Sequence, residues 1–176
     1  GRVAASLGLA VHETPIGFKN IAALMLDRTV LIGGEESGGI GLSRHMPERD
    51  GIFVGLLILD LLVAAGRPLG GLIREMWDEF GEFHYDRRDL KVPIAAAARL
   101  IDRLEAEPPA RFAGSRVTDV RTLDGTKFFL GSDSWILFHR SGTEPVLRVY
   151  CEAPTGAAVA DILGSGADFV EHFLAD

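Results

Sequence analysis

The stretch from Gly51 to Ala65 constrains the fold most, because it is apolar almost all round and broken in character only by Asp60. It is too long for an ordinary strand. It is also shorter than the ~20 apolar residues that a helix needs to cross a bilayer. A helix that is apolar on every face belongs in an interior, so a buried helix is expected here. The rest of the composition agrees with a globular chain. Of the 176 residues, 47% are hydrophobic and 24% charged, which fits one domain or two small ones. The formal net charge of -7 argues against nucleic-acid binding. The single cysteine, Cys151, lies in the strand-like run Val149-Tyr150-Cys151 and excludes an intrachain disulfide framework. A buried, inert thiol in a reducing compartment is expected there. No signal peptide opens the chain, so the expectation is a cytoplasmic protein with no membrane partner. The opening, Gly1 to Leu7, reads as mid-helix without a leading Met, which implies an upstream part.

Two organisations follow one another. In the first half a short strand is expected over Leu9 to Glu13, ended by Pro15 and Gly17. A helix is expected over Phe18 to Asp27, with Phe18, Ile21, Ala22 and Met25 at helical spacing. Thr29 to Ile32 reads as a buried strand, and a glycine-rich loop runs from Gly33 to Gly41. The helix from Gly51 and another from Pro68 to Phe80 complete what reads as an α/β layered domain. The polar interval Gly81 to Lys91 reads as a hinge. The expected division is an α/β domain over residues 1–83 and an α+β domain over 84–176. In the second domain a helix over Ile94 to Ala106 ends at Pro108-Pro109. Strands are expected over Arg116–Leu123, Lys127–Leu130, Trp135–His139 and Val146–Glu152. Asp124-Gly125 signals a hairpin turn. A last helix, Gly156 to Leu174, gives a small α+β domain with an antiparallel sheet and flanking helices.

Two loops carry chemistry. Gly33-Gly34-Glu35-Glu36-Ser37-Gly38-Gly39 joins backbone that can approach a ligand closely to a carboxylate and a hydroxyl two residues apart. Those two groups can bond adjacent sugar hydroxyls. A helix N-cap at Ser37 or Glu36 is the competing structural reading. The loop has neither the dinucleotide nor the P-loop glycine pattern. The second loop is His139-Arg140-Ser141-Gly142-Thr143-Glu144-Pro145, with Arg148 beyond it. Hydroxyls, backbone N–H groups and guanidinium groups in a few residues suit a phosphate monoester. The competing reading is a plain hairpin loop with an Arg140–Glu144 surface pair.

The two loops in this order, together with Glu13-Thr14-Pro15-Ile16-Gly17-Phe18-Lys19 and His45-Met46-Pro47-Glu48-Arg49-Asp50-Gly51, resemble the α-D-phosphohexomutases, the phosphoglucomutase/phosphomannomutase family. The resemblance covers nearly the whole chain. It implies most of the third domain followed by the fourth domain of a four-domain enzyme. It implies that Gly34, Glu35 and Ser37, with Lys19 and His45, face the sugar, and that Arg140, Ser141, Gly142, Thr143 and Arg148 grip the phosphate. The family commonly has an arginine where this chain has His139, with Arg140 displaced by one. Either side chain is a candidate for that contact.

The resemblance further implies interconversion of hexose 1- and 6-phosphates of glucose or mannose through a 1,6-bisphosphate, which also acts as activator. The family's phosphoserine loop and Mg²⁺ loop are not found in this sequence. No catalytic residue is therefore assigned here, and the phosphoserine, the Mg²⁺ site and the remaining domains are expected upstream. Lys19 and His45 also have structural readings, as a solvated lysine and a packed histidine. The Glu-Glu-Ser spelling leans toward a hexose rather than a glucosamine phosphate. A non-catalytic phosphosugar-binding module is the alternative function.

Overall fold

The computed structural model describes residues 1–131 and 133–175, and the chain divides into two compact units, Gly1–Phe80 and Gly81–Asp176. The first unit is a partial α/β domain. Its elements are α1 (Arg2–Ser6), α2 (Phe18–Asp27), β1 (Ile32–Gly34), β2 (Ile40–Leu42), α3 (Gly51–Ala65) and α4 (Leu69–Phe80). β1 and β2 form a two-stranded antiparallel hairpin, with Ile32 opposite Leu42 and Gly34 opposite Ile40. The hairpin lies on α2 because its glycines leave room. A Cβ on Gly41 would stand 2.7 Å from Phe18 Cζ, and one on Gly33 would stand 2.3 Å from Ile21 Cγ2.

Three expectations for this unit are corrected. Leu9 to Glu13 is not a strand, because no neighbouring strand pairs with it among the described residues. The strand expected over Thr29 to Ile32 begins only at Ile32, and its outer residues Leu31 and Ile32 are exposed rather than buried. α3 is a helix with the expected bounds, but none of its residues is buried, and Ile52 and Val63 are each 81% exposed. Among the described residues of this unit only Phe18, Ile21 and Gly41 are buried, so nothing here covers α3. Local chemistry sets its ends instead. Asp50 Oδ1 accepts from the Ile52 and Phe53 N–H groups at 3.0 Å each. Gly66 closes the other end in the left-handed conformation, φ 62°, donating to the Leu62 and Val63 carbonyls. No single described helix is long and apolar enough to cross a membrane. Among the described residues, α3 and α4 reach the needed length and apolar character only when taken together, and they are bent by 83°.

The second unit contains β3 (His84–Lys91), α5 (Ile94–Ala106), β4 (Arg111–Phe112), β5 (Ser115–Arg121), β6 (Thr126–Leu130), β7 (Ser134–Arg140), β8 (Val146–Ala153) and α6 (Gly156–Ala175). Its six strands form a sheet in the order β3-β8-β7-β6-β5-β4, every neighbouring pair antiparallel. The polar interval expected to act as a hinge is therefore mostly strand. β3 sits at the sheet edge, where Asp86, Arg87, Arg88, Asp89 and Lys91 meet solvent.

Alternation builds the core. Phe128 and Leu130 of β6, Ile136 and Phe138 of β7, and Leu147, Val149, Cys151 and Ala153 of β8 turn to one face. α5 covers it with Ala96, Ala97, Leu100, Ile101 and Leu104, one helical stripe. α6 adds Val159, Ile162, Leu163, Gly166, Ala167 and Val170. Gly166 is needed for this approach, since a Cβ there would stand 2.6 Å from Ile136 Cδ1. Burial pushes the Cys151 thiol up to about 12, as suits an unreactive core sulfur.

Candidate functional site

The first candidate loop spans the tip of the β1–β2 hairpin. The Glu35 N–H donates to the Gly39 carbonyl at 2.9 Å and the Gly38 N–H to the Glu35 carbonyl at 3.0 Å. Gly38 takes φ +88°, so the turn favours glycine there. No helix begins at Ser37 or Glu36, and the chain turns back into β2, which removes the N-cap reading. Gly34 ends β1, while Ser37 stands exposed at the tip. The Glu35 side chain is only 11% exposed because Arg49 Nη1 bonds its Oε2 at 3.1 Å. Arg49 also lies over the Phe18 ring, 5.4 Å from its centroid. This pairing was missed in the sequence. It joins residues fourteen apart, and the only signal was that both belong to quoted motifs.

The other sugar-site candidates differ in setting. Lys19 is exposed in the first turn of α2. His45 has a packed role, its Nε2 2.8 Å from Asp50 Oδ2 and its ring stacked 4.2 Å from Phe53. The Asp50 carboxyl is held below its ordinary value, first by the Phe53 N–H and then by His45. Because the folded value is lowered, this cap is in force above the ordinary aspartate range and is lost as pH falls through the lowered value. Hydrogen exchange of the Ile52 and Phe53 amides reads it directly. Asp50→Ala should expose both amides at every pH, whereas Asp50→Asn, a good N-cap without a titrating carboxyl, should protect them into acid. Equal protection in all three proteins would contradict the capping role.

The second loop joins β7 to β8. It is closed by Ser141 N–H donating to the Val146 carbonyl at 3.0 Å and Val146 N–H to Glu144 at 2.8 Å. Ser141 is 7% exposed, and its Oγ accepts from the Thr143 N–H at 3.4 Å and the Glu144 N–H at 3.1 Å. Those two backbone donors thus turn inward, and of Ser141 itself the hydroxyl proton remains for a ligand. Gly142 and Thr143 are exposed at the tip. Glu144 is taken by Arg148 Nη2 at 3.1 Å, so the surface pair differs from the Arg140–Glu144 alternative. Arg148 Nε also lies 3.8 Å from Asp89.

Strand alternation separates the two cationic candidates. In the β7–β8 register His139 is opposite Arg148, on the sheet face away from the helices, while Arg140 is opposite Leu147 in the core-face row. Arg140 is exposed at the strand end. His139 is 16% exposed, its Nε2 3.4 Å from Asp124 Oδ1. Both line one cavity of about 490 Å³ at this end of the sheet, with Ile101, Asp102, Glu105 and Asp124.

Two family models match in tandem. Residues 1–80 match the phosphoglucomutase/phosphomannomutase α/β/α domain III, and residues 91–167 match the C-terminal domain of the same family. The chain belongs to this family. Similar curated proteins include a phosphoglucomutase/phosphomannomutase of Thermococcus kodakarensis, 28% identical over 95% of this chain and 34% of that protein. A phosphoglucosamine mutase of Parafrankia is 29% identical over 95% of this chain and 32% of that protein. The chain therefore spans about a third of the length of these relatives. Among solved structures, a Thermus thermophilus protein provisionally named a phosphomannomutase superposes with TM-score 0.77 at 35% identity, covering 97% of this chain and 33% of that one. Family membership implies Mg²⁺. Among the described residues, no three His, Cys, Asp or Glu side chains converge to hold a metal ion.

Proposed function

We propose that this chain supplies substrate recognition to a phosphohexomutase that interconverts the 1- and 6-phosphates of glucose or mannose. The observation that carries the reading is the pair of hairpin loops, one presenting Glu35 and Ser37, the other Arg140, Ser141, Gly142 and Thr143 with Arg148 behind it. In this reading Glu35, ordered by Arg49, accepts from ring hydroxyls while Ser37 bonds a neighbouring one, and Lys19 offers a cation nearby. His45 orders the segment after the sugar loop through Asp50. The β7–β8 loop holds the phosphate that is not reacting. The Ser141 proton and the guanidinium groups donate to its oxygens, and Arg148 retains N–H donors beyond those given to Glu144 and Asp89. Positioning of this kind supplies several kcal/mol of a barrier when the reacting groups are held in line.

The phosphoserine that donates to the free hydroxyl, the 1,6-bisphosphate formed by that transfer, and the Mg²⁺ belong to further domains of the whole enzyme. A cytoplasmic setting follows from its hexose phosphate substrates. Pure chain incubated with glucose 1-phosphate, Mg²⁺ and glucose 1,6-bisphosphate should give no glucose 6-phosphate, yet should bind glucose 6-phosphate in calorimetry. Turnover by the chain alone would overturn the assignment of the chemistry to other domains. Absence of binding would overturn the recognition role.

A further inference from the structure

His139 stands where the family commonly has an arginine, and the fold treats it unusually. The Asp124-Gly125 turn between β5 and β6 folds over the end of β7. Gly125 adopts φ +80°, and a Cβ on it would stand 2.2 Å from the Phe138 carbonyl oxygen and 3.0 Å from His139 Cα. Only a residue without a side chain lets the turn come this close. The result is a carboxylate, Asp124, 3.4 Å from His139 Nε2. The charged groups around this imidazole come from every neighbouring element. Arg148 lies opposite on β8, and the Tyr150 ring is 6.5 Å away. Asp89 of β3 approaches Arg148. Arg140 follows in sequence, and Asp102 and Glu105 of α5 line the same cavity.

We propose that Asp124, set by Gly125, is a positioning residue that holds His139 as the imidazolium, and that this charge makes anion binding at the β7–β8 loop depend on pH. The inference rests on the reading of that loop as the phosphate site. Three carboxylates, Asp102, Glu105 and Asp124, share the cavity with His139 and Arg140. Arg140 alone does not offset these carboxylates, so an incoming dianion meets less repulsion when His139 is charged than when it is neutral. An arginine at this place would keep its charge at any working pH. A histidine gives it up between about pH 5 and 8. The neighbouring carboxylate favours the charged form, so anion affinity is highest where the histidine is charged and falls as rising pH removes that charge.

Sulfate is the probe of choice, because its charge is constant across this range whereas a sugar phosphate titrates near pH 6. Calorimetric titration of the whole chain with sulfate should show affinity falling about tenfold from about pH 5.5 to about pH 8.5. His139→Gln should abolish that slope. His139→Arg should bind at pH 8.5 as tightly as the unaltered chain does at pH 5.5. Asp124→Asn should keep the slope but move it to lower pH, which a merely structural role for Asp124 would not do. A slope that survives in His139→Gln, or that does not move in Asp124→Asn, would overturn the inference while leaving an anion site in place. Absence of sulfate and glucose 6-phosphate binding in every variant at every pH would overturn the site itself, and this inference with it.

Discussion

Phe138→Ala is expected to lower the stability of the second unit by about 3–5 kcal/mol, the range for deleting a fully buried phenylalanine. Phe138 is 0% exposed and sits at the centre of an aromatic cluster. Its ring centroid lies 5.6 Å from Phe112, 6.1 Å from Phe128 and 6.5 Å from Phe169. Gly166 packs against it from α6, its virtual Cβ 3.3 Å from the Phe138 ring. The truncated side chain would therefore leave a space that neither sheet nor helix can fill without shifting backbone. Urea unfolding followed through Trp135 fluorescence, in a Trp77→Phe background, isolates this unit. Leu123→Ala is the control, because that side chain is 53% exposed and surface changes of this kind stay within about 0.5 kcal/mol. A loss below about 1 kcal/mol for Phe138→Ala would mean that the core does not close around this ring.

Arg140→Ala is expected to weaken glucose 6-phosphate binding roughly tenfold to a hundredfold, since charge-assisted hydrogen bonds contribute about 1.5–3 kcal/mol each. Folding should be nearly unchanged, because the side chain is exposed at the end of β7. Glu35→Gln should separate from it. Inorganic phosphate affinity should stay intact while the ranking of glucose and mannose phosphates changes, because Glu35 lies in the other unit and is proposed to meet the ring. His139→Ala decides between the neighbours. The register places it in the row with Arg148 and places Arg140 in the other row. If His139→Ala loses phosphate and Arg140→Ala does not, the displaced arginine has no part in the contact. If neither variant changes affinity, the loop is a hairpin only.

How far the sequence could be read depended on the range of each signal. Helices α2, α3 and α5 were expected with the bounds they have, because periodicity and end signals such as Pro108-Pro109 act within a few residues. The antiparallel strands β6, β7 and β8 followed from alternation, and the β5–β6 turn from Asp124-Gly125. β3 escaped because an edge strand exposed on most positions carries no apolar alternation. Burial of α3 was inferred from its composition alone. Composition states what a helix needs, not whether the residues present meet that need. The motifs named the loop residues, but the Glu35–Arg49 and Asp124–His139 contacts join residues fourteen or more positions apart. Only the assembled chain brings such partners together.

The edge position of β3 has a consequence for self-assembly. A six-stranded antiparallel sheet offers its two outer strands as templates on which identical chains can stack into fibres. Here one outer strand, β4, is two residues long, too short to template a ladder. The other, β3, carries Asp86, Arg87, Arg88, Asp89 and Lys91 along its length. A second copy pairing there would bury these charges between strands and strip their water. This unit should therefore resist fibril growth by edge addition, although its interior strands Thr126–Leu130 and Ser134–Arg140 are rich in the aromatic and β-branched residues that drive it.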